Sequence, residues 1–319
     1  MTLTQLGYIV AVDKYKNFGV AAQHCQVTQP TLSMQLQKLE EEIGLILFDR
    51  SEQPVKTTKV GEVLVHQAKI ILREAHKFDE LVLEEKDETK GIIHIGVIPT
   101  LAPYLMPLFL KDFMKKNPAL KVVVEELQTS QILKKLEDLE LDLGLLVTPI
   151  EQAGLKSDPL FYEPFLAYVS EKSELAQKAK VEQKDLNSND LWLLTDGHCF
   201  REQSLLICKN RKKTSDLHKN LLFESGSLET LKKMIDQENG FTLLPYLATM
   251  DMKNSKQLKE FTNPVPSREV SLIYNSYFRK DKIKSQLIDS IHEHLPSQIA
   301  RSANRSMQVI DLPSGHQKT

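Results

Sequence analysis

A long amphipathic stretch between Thr58 and Glu88 is the feature that most constrains how this chain can fold. Apolar residues recur there at spacings of three and four, the period of one helix face; they are Val60, Leu64, Ala68, Ile71, Ala75, Phe78 and Val82. A helix of about 30 residues runs roughly 45 Å, and such a seam is typical of a helix that packs along a partner. We predict a dimerisation linker helix over residues 58–89; packing against its own domain is the alternative.

The length of the chain favours two or three compact units. Of its 319 residues, 41% are hydrophobic and 26% are charged, which is ordinary for a soluble globular protein. Because no apolar run approaches the roughly 18 residues of a membrane span and no secretory signal pattern opens the chain, we expect no membrane partner and a cytoplasmic location. The formal net charge of −2 does not by itself indicate nucleic-acid binding.

Two short helical segments separated by a tight turn precede this long helix. Thr28 is a good N-cap candidate for the second segment, and Pro30 falls in its first turn, where proline is tolerated. A predicted buried stripe follows; it consists of Leu32, Leu36, Leu39 and Ile43. The polar residues off this stripe suit base edges and phosphates in a major groove, although on these residues alone a solvated helix face is the simpler interpretation. Residues 45–58 are typical of a short two-stranded wing.

The segment AAQHCQVTQPTLSMQLQKLEEEIGLILFDR resembles the winged helix-turn-helix of the LysR-type transcription regulators. The resemblance implies a DNA-binding domain over residues 1–60 whose partner is double-stranded promoter DNA. The residues that it implies near DNA are Thr28, Gln29, Thr31, Ser33 and Gln35, with Arg50 and the wing residue Lys56 on the phosphate backbone. Cys25 departs from the family pattern, and we interpret it as a small core residue.

Strands and helices alternate beyond residue 91 in the order β-α-β-α-β, which predicts an α/β fold with a mostly parallel sheet. Ligand sites in such sheets lie outside the carboxyl ends of the strands. Segments near residues 162–170 and 270–274 are predicted strands that cross into a second lobe and return. We therefore expect a two-lobed regulatory domain over residues 91–295, like the periplasmic binding proteins of type 2. Its lobe I would comprise residues 91–162 and 268–295, and its lobe II residues 163–267. From residue 296 to residue 319 the sequence is polar and aperiodic, which predicts a disordered tail.

The cysteines Cys199 and Cys208 carry the most informative spacing in the chain. On one regular helix their Cα atoms would lie about 13.5 Å apart, whereas a disulfide needs roughly 5.5 Å, so bonding them would refold the segment. Spacing alone leaves three interpretations open. They are two unrelated buried cysteines, a metal site with His198 and His218 whose intervals do not match usual zinc spacing, and a peroxide-reactive thiol with a resolving partner. In the third, His198 and Arg201 could stabilise a thiolate.

Further motifs resemble the peroxide-sensing members of the LysR-type regulator family. These are Val97-Ile-Pro-Thr100, Gln128-Thr-Ser-Gln131, Gly197-His-Cys-Phe-Arg-Glu-Gln203, Ser227-Leu-Glu-Thr-Leu231 and Gly240-Phe-Thr-Leu-Leu-Pro245. The resemblance implies a peroxidatic Cys199 that forms a sulfenic acid and condenses with a resolving Cys208. It also implies that peroxide is bound or activated by Thr100, Thr129, His198 and Arg268. As an alternative, Thr100 and Thr129 cap the helices that follow them.

The same resemblance implies a homodimer or homotetramer that activates transcription under oxidative stress, with hydrogen peroxide and RNA polymerase as partners. We expect no cofactor, no metal and no enzymatic activity. One alternative is a LysR-type regulator that binds a small metabolite in the interlobe cleft, with incidental cysteines. A thiol peroxidase is another alternative, but such an enzyme would not need the helix-turn-helix pattern of residues 1–60.

Overall fold

A computed structural model describes residues 1–85, 90–150, 152–186, 190–208, 225–252 and 255–311. The chain divides into two compact units, Met1–Glu88 and Thr89–Thr319. Residues 86–89, where the two units join, lie outside the described residues. Within the described residues, no helix is long and apolar enough to cross a membrane.

The first unit is built from helices around one small core. Its elements are α1 (Leu3–Tyr15), α2 (Phe18–His24), α3 (Gln29–Ile43), β1 (Phe48–Asp49), β2 (Lys56–Thr57) and α4 (Lys59–Glu85). The predicted N-cap is confirmed, because Thr28 Oγ1 accepts a hydrogen bond from the backbone N–H of Thr31. Leu32, Leu36 and Leu39 are buried as predicted. Strands β1 and β2 pair antiparallel and form the wing.

The long helix α4 divides its apolar seam between two environments. Val65 and Ala68 are buried in the core of the first unit. Further along the helix, Phe78 is 68% exposed and Val82 is 40% exposed. The first turns of α4 therefore pack against their own domain, while an apolar surface near its end remains exposed. The predicted dimerisation along this seam stays a prediction.

The second unit combines a mixed sheet with five helices among its described residues. The strands are β3 (Gly91–Val97), β4 (Leu120–Glu126), β5 (Leu143–Thr148), β6 (Leu155–Val169), β7 (Lys180–Val181), β8 (Phe241–Pro245), β9 (Leu258–Phe261), β10 (Val265–Asn275) and β11 (Met307–Val309). The helices are α5 (Ala102–Lys116), α6 (Thr129–Glu137), α7 (Cys199–Ile207), α8 (Leu228–Gln237) and α9 (Asp281–His294). Short 3₁₀ helices span Glu174–Gln177, Gln183–Asp185 and Tyr246–Met252.

The predicted parallel sheet is found only in part. Strand β3 pairs parallel with β4 and β5. Strand β10, however, pairs antiparallel with both β5 and β6, and β6 pairs antiparallel with β8 and β9. The prediction of a mostly parallel sheet was therefore wrong. Strand β6 runs from the first half of the unit into the second and β10 runs back, so β6 and β10 pair antiparallel.

Two hydrophobic clusters fill the two halves of the second unit. One lies around β3, β5, α5 and α9 and includes Phe109, Phe113 and Leu287. The other lies around β8, α7 and α8 and includes Phe200, Ile207 and Cys208. Strand β6 passes from one to the other, with Phe161 in the first cluster and Phe165 in the second.

The C-terminal segment is ordered where disorder was predicted. Strand β11 pairs parallel with the beginning of β10, and Ile310 is 6% exposed. The prediction of a disordered tail from residue 296 was wrong as far as Asp311. Residues 307–309 complete a sheet edge and Ile310 joins a hydrophobic cluster, and the polar composition of the segment does not reveal either contact. Residues 312–319 lie outside the described residues.

Candidate functional site

Helix α7 has one cysteine at each end. Cys199 is its first residue, and Cys208 is its C-cap. Both are free thiols in the described structure, as is Cys25. The two residues are nine positions apart, which along a helix places their Cα atoms about 13.5 Å apart, well beyond the reach of a disulfide.

Cys199 faces a small pocket where three chain segments meet. The pocket is lined by Ile98, Pro99, Thr100, Gln128, Thr129, Gly197, His198, Cys199 and Phe200. These residues follow β3, begin α6 and begin α7, so the carboxyl end of a parallel strand contributes, as predicted for such sheets. Its cavity volume is about 10 Å³, roughly the space for one water molecule. Pockets for drug-sized ligands measure about 300–1,000 Å³.

The backbone at Gly197 explains how α7 begins so close to α6. Gly197 has a φ of +89°, a conformation that side chains rarely tolerate. A Cβ at this position would lie 3.0 Å from Oε1 of Gln128. Glycine is therefore required both by the turn that leads into α7 and by the approach of the Gln128 side chain.

Opposing effects act on the Cys199 thiol. Its Sγ lies 3.0 Å from Oγ1 of Thr129, at the first turn of α6. Burial raises the pKa of Cys199, and the hydrogen bond with Thr129 and the charge of Arg268 offset part of that rise. The net pKa shift is upward, so the thiol form dominates at neutral pH in this state.

Arg268 is fully buried and paired on both sides. Its Nε and Nη2 donate to Glu163 Oε2 at 2.8 and 2.7 Å. Its Nη1 donates to Thr100 Oγ1 at 2.9 Å, and Nη2 to the Thr100 carbonyl at 3.1 Å. Because a buried charge without a partner is costly, Glu163 is what allows Arg268 to reach the pocket wall. Thr100 accepts this bond and retains its own hydroxyl hydrogen as a donor.

The structure does not place His198 and Arg201 as cations beside the Cys199 sulfur, where both were expected to stabilise its thiolate. His198 lines the pocket, and burial lowers its pKa, so its imidazole is neutral at neutral pH. Arg201 instead bonds Asp196 at 2.7 Å and the carbonyl of Leu194 at 2.9 Å. The guanidinium whose charge lowers the pKa of Cys199 is that of Arg268, which is distant in sequence.

Cys208 lies in a dry environment. It is 3% exposed and belongs to the same hydrophobic cluster as Ile207 and Phe200. Burial raises the pKa of Cys208 to about 12, so it is a thiol at any physiological pH. The metal-site interpretation required this cysteine together with His218, which lies outside the described residues.

Two residues of this site, Glu163 and Gln128, were not predicted from the sequence. Glu163 anchors Arg268, and its other oxygen accepts a hydrogen bond from the backbone N–H of Leu247 at 2.7 Å. Gln128 lines the pocket beside Gly197. A lone carboxylate within the apolar run Phe161-Tyr-Glu-Pro-Phe165 was a signal for a buried pair, whereas nothing in the sequence points Gln128 into a pocket.

The residues predicted to approach DNA differ in accessibility. Thr28, Gln29 and Thr31 are exposed at the beginning of α3. Ser33 and Gln35 are half-buried, and Gln35 Oε1 accepts a hydrogen bond from Gln5 at 3.3 Å.

The two residues predicted on the phosphate backbone both have acidic partners. Arg50 donates to Ser33 Oγ at 3.2 Å and to Glu40 at 2.7 Å, which ties the wing to α3. Lys56 forms an ion pair with Glu52. Both basic side chains are exposed.

Comparison with known families matches both units. Residues 3–62 match the bacterial regulatory helix-turn-helix protein of the lysR family, and residues 86–296 match the LysR substrate binding domain. These comparisons do not support the predicted likeness to periplasmic binding proteins, which stays a prediction.

Individual relatives and solved structures agree with the family match. The chain is 37% identical to a hydrogen peroxide-inducible genes activator of Haemophilus influenzae, over 92% of this chain and 100% of the relative. It is 36% identical to the DNA-binding transcriptional dual regulator OxyR of Escherichia coli, over 86% of this chain and 89% of the relative. A full-length OxyR variant from Pseudomonas aeruginosa is similar with a TM-score of 0.77 at 34% identity, covering 92% of this chain and 99% of that one. A peroxide-bound OxyR variant from Corynebacterium glutamicum has a TM-score of 0.58 at 28% identity, covering 92% of each chain.

Proposed function

The chain belongs to the LysR family of bacterial helix-turn-helix regulators, and we propose that it is a peroxide-sensing transcription activator switched by a reversible disulfide between Cys199 and Cys208. The observation that carries this proposal is that the half-buried Cys199 lines a pocket of about 10 Å³, which suits a molecule the size of peroxide. The relatives named for hydrogen peroxide support it.

The first chemical step takes place at Cys199. Its sulfur, as the thiolate, attacks one peroxide oxygen; an S–O bond forms while the O–O bond breaks. The departing hydroxide takes up the proton that the thiol released and leaves as water. Sulfur is oxidised to a sulfenic acid and peroxide is reduced.

Three pocket residues, together with Arg268 behind Thr100, support this step in our proposal. Thr129 hydrogen-bonds the sulfur, and Thr100 donates its hydroxyl hydrogen to a peroxide oxygen. Arg268 orients Thr100 and stabilises charge on the departing oxygen. His198, which is neutral, takes up the thiol proton and passes it to the departing hydroxide.

The second step joins the two cysteines. The Cys208 sulfur attacks Sγ of the sulfenic acid, an S–S bond forms, and the S–O bond breaks. The expelled hydroxide leaves as water with the Cys208 proton. Because a helix holds these residues about 13.5 Å apart, the step requires α7 to unwind, and this refolding is the signal.

The DNA-binding role belongs to the first unit. We propose that Thr28, Gln29 and Thr31 contact promoter DNA from the exposed beginning of α3, that Ser33 and Gln35 lie beside them, and that Arg50 and Lys56 contact phosphates. Lys56→Ala should then weaken binding to all sequences alike and reduce its salt dependence, whereas Gln29→Ala should relax sequence preference. Electrophoretic mobility shifts on specific and scrambled DNA separate these effects.

The remaining parts of the proposal concern assembly. We propose residues 1–60 as the DNA-binding domain, residues 58–89 as the dimerisation helix and residues 91–295 as the two-lobed sensor. The exposed Phe78 and Val82 support pairing of α4 with a second copy in a homodimer or homotetramer. A cytoplasmic regulator of this kind would act with RNA polymerase.

Mass spectrometry of the peroxide-treated full-length protein tests the switch. We expect a peptide pair joined through Cys199 and Cys208 that disappears on reduction, together with a changed DNA footprint. Two intact thiols after treatment with micromolar peroxide would contradict the proposal. A footprint that still changed with peroxide in Cys199→Ser would contradict it as well.

The pocket volume also bears on the alternative of a metabolite-binding regulator. The pocket beside Cys199 has space for about one water molecule and does not accommodate a metabolite without rearrangement. The geometry of this pocket therefore favours peroxide over a metabolite as the molecule that reaches Cys199.

A further inference from the structure

We propose that residues 306–311, the C-terminal latch, hold α7 in its helical form and thereby set how readily the disulfide between Cys199 and Cys208 forms. This inference rests on the proposed function. It concerns a segment that the switch chemistry itself does not use.

The C-terminal latch is fixed to the strand that carries Arg268. Within β11, Met307 pairs with Val265 and Val309 with Ser267. The backbone N–H of Val265 donates to the Ser306 carbonyl at 2.8 Å, and that of Ile310 donates to the Ser267 carbonyl at 2.9 Å. The latch is therefore anchored at the residue that precedes Arg268.

The latch also contacts α7. Gln203, which is fully buried in the middle of that helix, donates from Nε2 to the carbonyl of Ile310 at 3.0 Å. The Ile310 side chain belongs to the same hydrophobic cluster as Ile207 and Cys208. The latch thus contacts both the centre of α7 and the hydrophobic cluster that surrounds Cys208.

Helix α7 depends on such contacts because its own sequence stabilises it weakly. It has nine residues, and helices this short are marginal in isolation. Gln203 and Ser204 are buried polar residues within it. Ser204 Oγ bonds the carbonyl of Phe200, a contact that slightly destabilises helices.

The buried amide of Gln203 makes α7 more dependent on the latch. Its Oε1 has no hydrogen-bond partner among the described residues. The bond to Ile310 is therefore what offsets the burial of this amide.

Disulfide formation must break the contacts between α7 and the latch. Bringing the cysteine Cα atoms from about 13.5 Å to roughly 5.5 Å unwinds α7 and moves Gln203 or Cys208 from its present place. Contacts that exist in the dithiol form and are lost in the disulfide form favour the dithiol. Weakening the latch should therefore make the disulfide easier to form and its reduction potential more negative.

The test compares Ile310→Ala with Gln308→Ala in the full-length protein. Ile310 packs against the α7 cluster, whereas Gln308, two residues earlier on β11, is exposed and accepts a hydrogen bond from Gln183. Equilibration with dithiothreitol should show the disulfide of Ile310→Ala favoured about tenfold, a potential about 30 mV more negative, with Gln308→Ala unchanged. In a Cys208→Ser background, the rate of sulfenic acid formation should be the same with and without Ile310→Ala, because the latch does not line the pocket.

A pair of shortened chains extends the test. A chain ending at Asp311 should keep the parent potential, and one ending at Ser306 should shift it further than Ile310→Ala. Should the shorter chain fail to fold, Ile310→Val keeps most of the packing and should shift the potential in the same direction by a smaller factor. Equal potentials for folded Ile310→Ala and Gln308→Ala would overturn the proposal.

Hydrogen exchange separates this inference from the proposed function. In the reduced protein, Ile310→Ala should speed exchange of the α7 amides at least several-fold relative to Gln308→Ala, whether or not a disulfide can form. If the parent forms no disulfide, the switch fails, yet faster exchange would still support the latch on α7. Unchanged exchange would overturn the latch itself.

Discussion

The two ends of α7 place the same chemical group in opposite surroundings. At its beginning, the Cys199 sulfur lies in a small pocket with a threonine hydroxyl at 3.0 Å and the charge of a buried arginine nearby. At its end, Cys208 is 3% exposed among apolar side chains, and its pKa rises to about 12. One end can meet a small polar oxidant, and the other cannot.

This difference assigns the order of events in the proposed switch. A thiol that is buried among apolar groups stays inert until the structure around it changes. Polar partners at the other end provide both access and stabilisation of charge. The refolding of α7 is therefore what converts Cys208 from a packing residue into a reactant.

Replacing each cysteine separately should give the largest effects. Cys199→Ser should abolish reaction with peroxide, because the attacking sulfur is gone. Cys208→Ser should still react but stop at a sulfenic acid, which a dimedone probe labels and mass spectrometry locates at Cys199. If Cys208 were labelled in Cys199→Ser at a comparable rate, the contrast between the two ends would be wrong.

Replacing Arg268 tests whether its buried guanidinium supports the reactivity of Cys199. Arg268→Gln leaves the Glu163 carboxylate buried without its partner, which should lower the free energy of unfolding by about 3–5 kcal/mol in denaturant titrations. The rate of reaction with peroxide should fall about 10²-fold.

A double variant separates the two roles of Arg268. Arg268→Gln combined with Glu163→Gln removes both charges and should recover much of the stability without recovering the rate. Recovery of the rate as well would show that Arg268 acts on folding rather than on the pocket.

The apolar end makes a prediction about pH. The folded pKa of Cys208, about 12, lies above the ordinary value of 9.0. The stability that this protonated thiol contributes is fully present below pH 9 and is lost as pH rises towards 12, because the unfolded thiol ionises first. The free energy of unfolding of the reduced protein should fall by up to about 1.4 kcal/mol per pH unit more steeply than that of Cys208→Ala.

A second cysteine serves as the control for this measurement. Burial also raises the pKa of Cys25, but that residue is only half-buried. Cys25→Ala should therefore change the slope of stability with pH less than Cys208→Ala does. Denaturant titrations of the three proteins at pH 8 to 10 compare the slopes, and equal slopes for Cys208→Ala and the parent would contradict a buried, protonated thiol.

Local patterns made most of the fold predictable. Apolar periodicity and capping residues such as Thr28 depend on neighbours within a few positions, so the helix-turn-helix, the wing and the order of strands after Gly91 could be predicted from sequence. The antiparallel pairing of β10 and the order at Ile310 could not, because both depend on contacts with residues distant in sequence.

The candidate site was predictable to a similar extent. Thr129 contacts Cys199 and Arg268 donates to Thr100, so residues that the family resemblance named lie together, while their role with peroxide stays a prediction. Glu163 was missed, because the need for a carboxylate becomes visible only when Arg268 is seen to be buried. The expectation that Arg201 stabilises the thiolate was based on its closeness to Cys199 in sequence, but its side chain bonds Asp196 instead.

Arg201 therefore supplies the smallest and most selective test of the contrast between the ends of α7. Its partner Asp196 is 90% exposed, so Arg201→Gln should cost less than about 1 kcal/mol in denaturant titrations. Stopped-flow rates with peroxide should stay within about twofold of the parent, because the cation that acts on Cys199 is Arg268. A tenfold loss of rate in this variant, with the fold intact, would return Arg201 to the reactive end of the helix and weaken the assignment of Arg268.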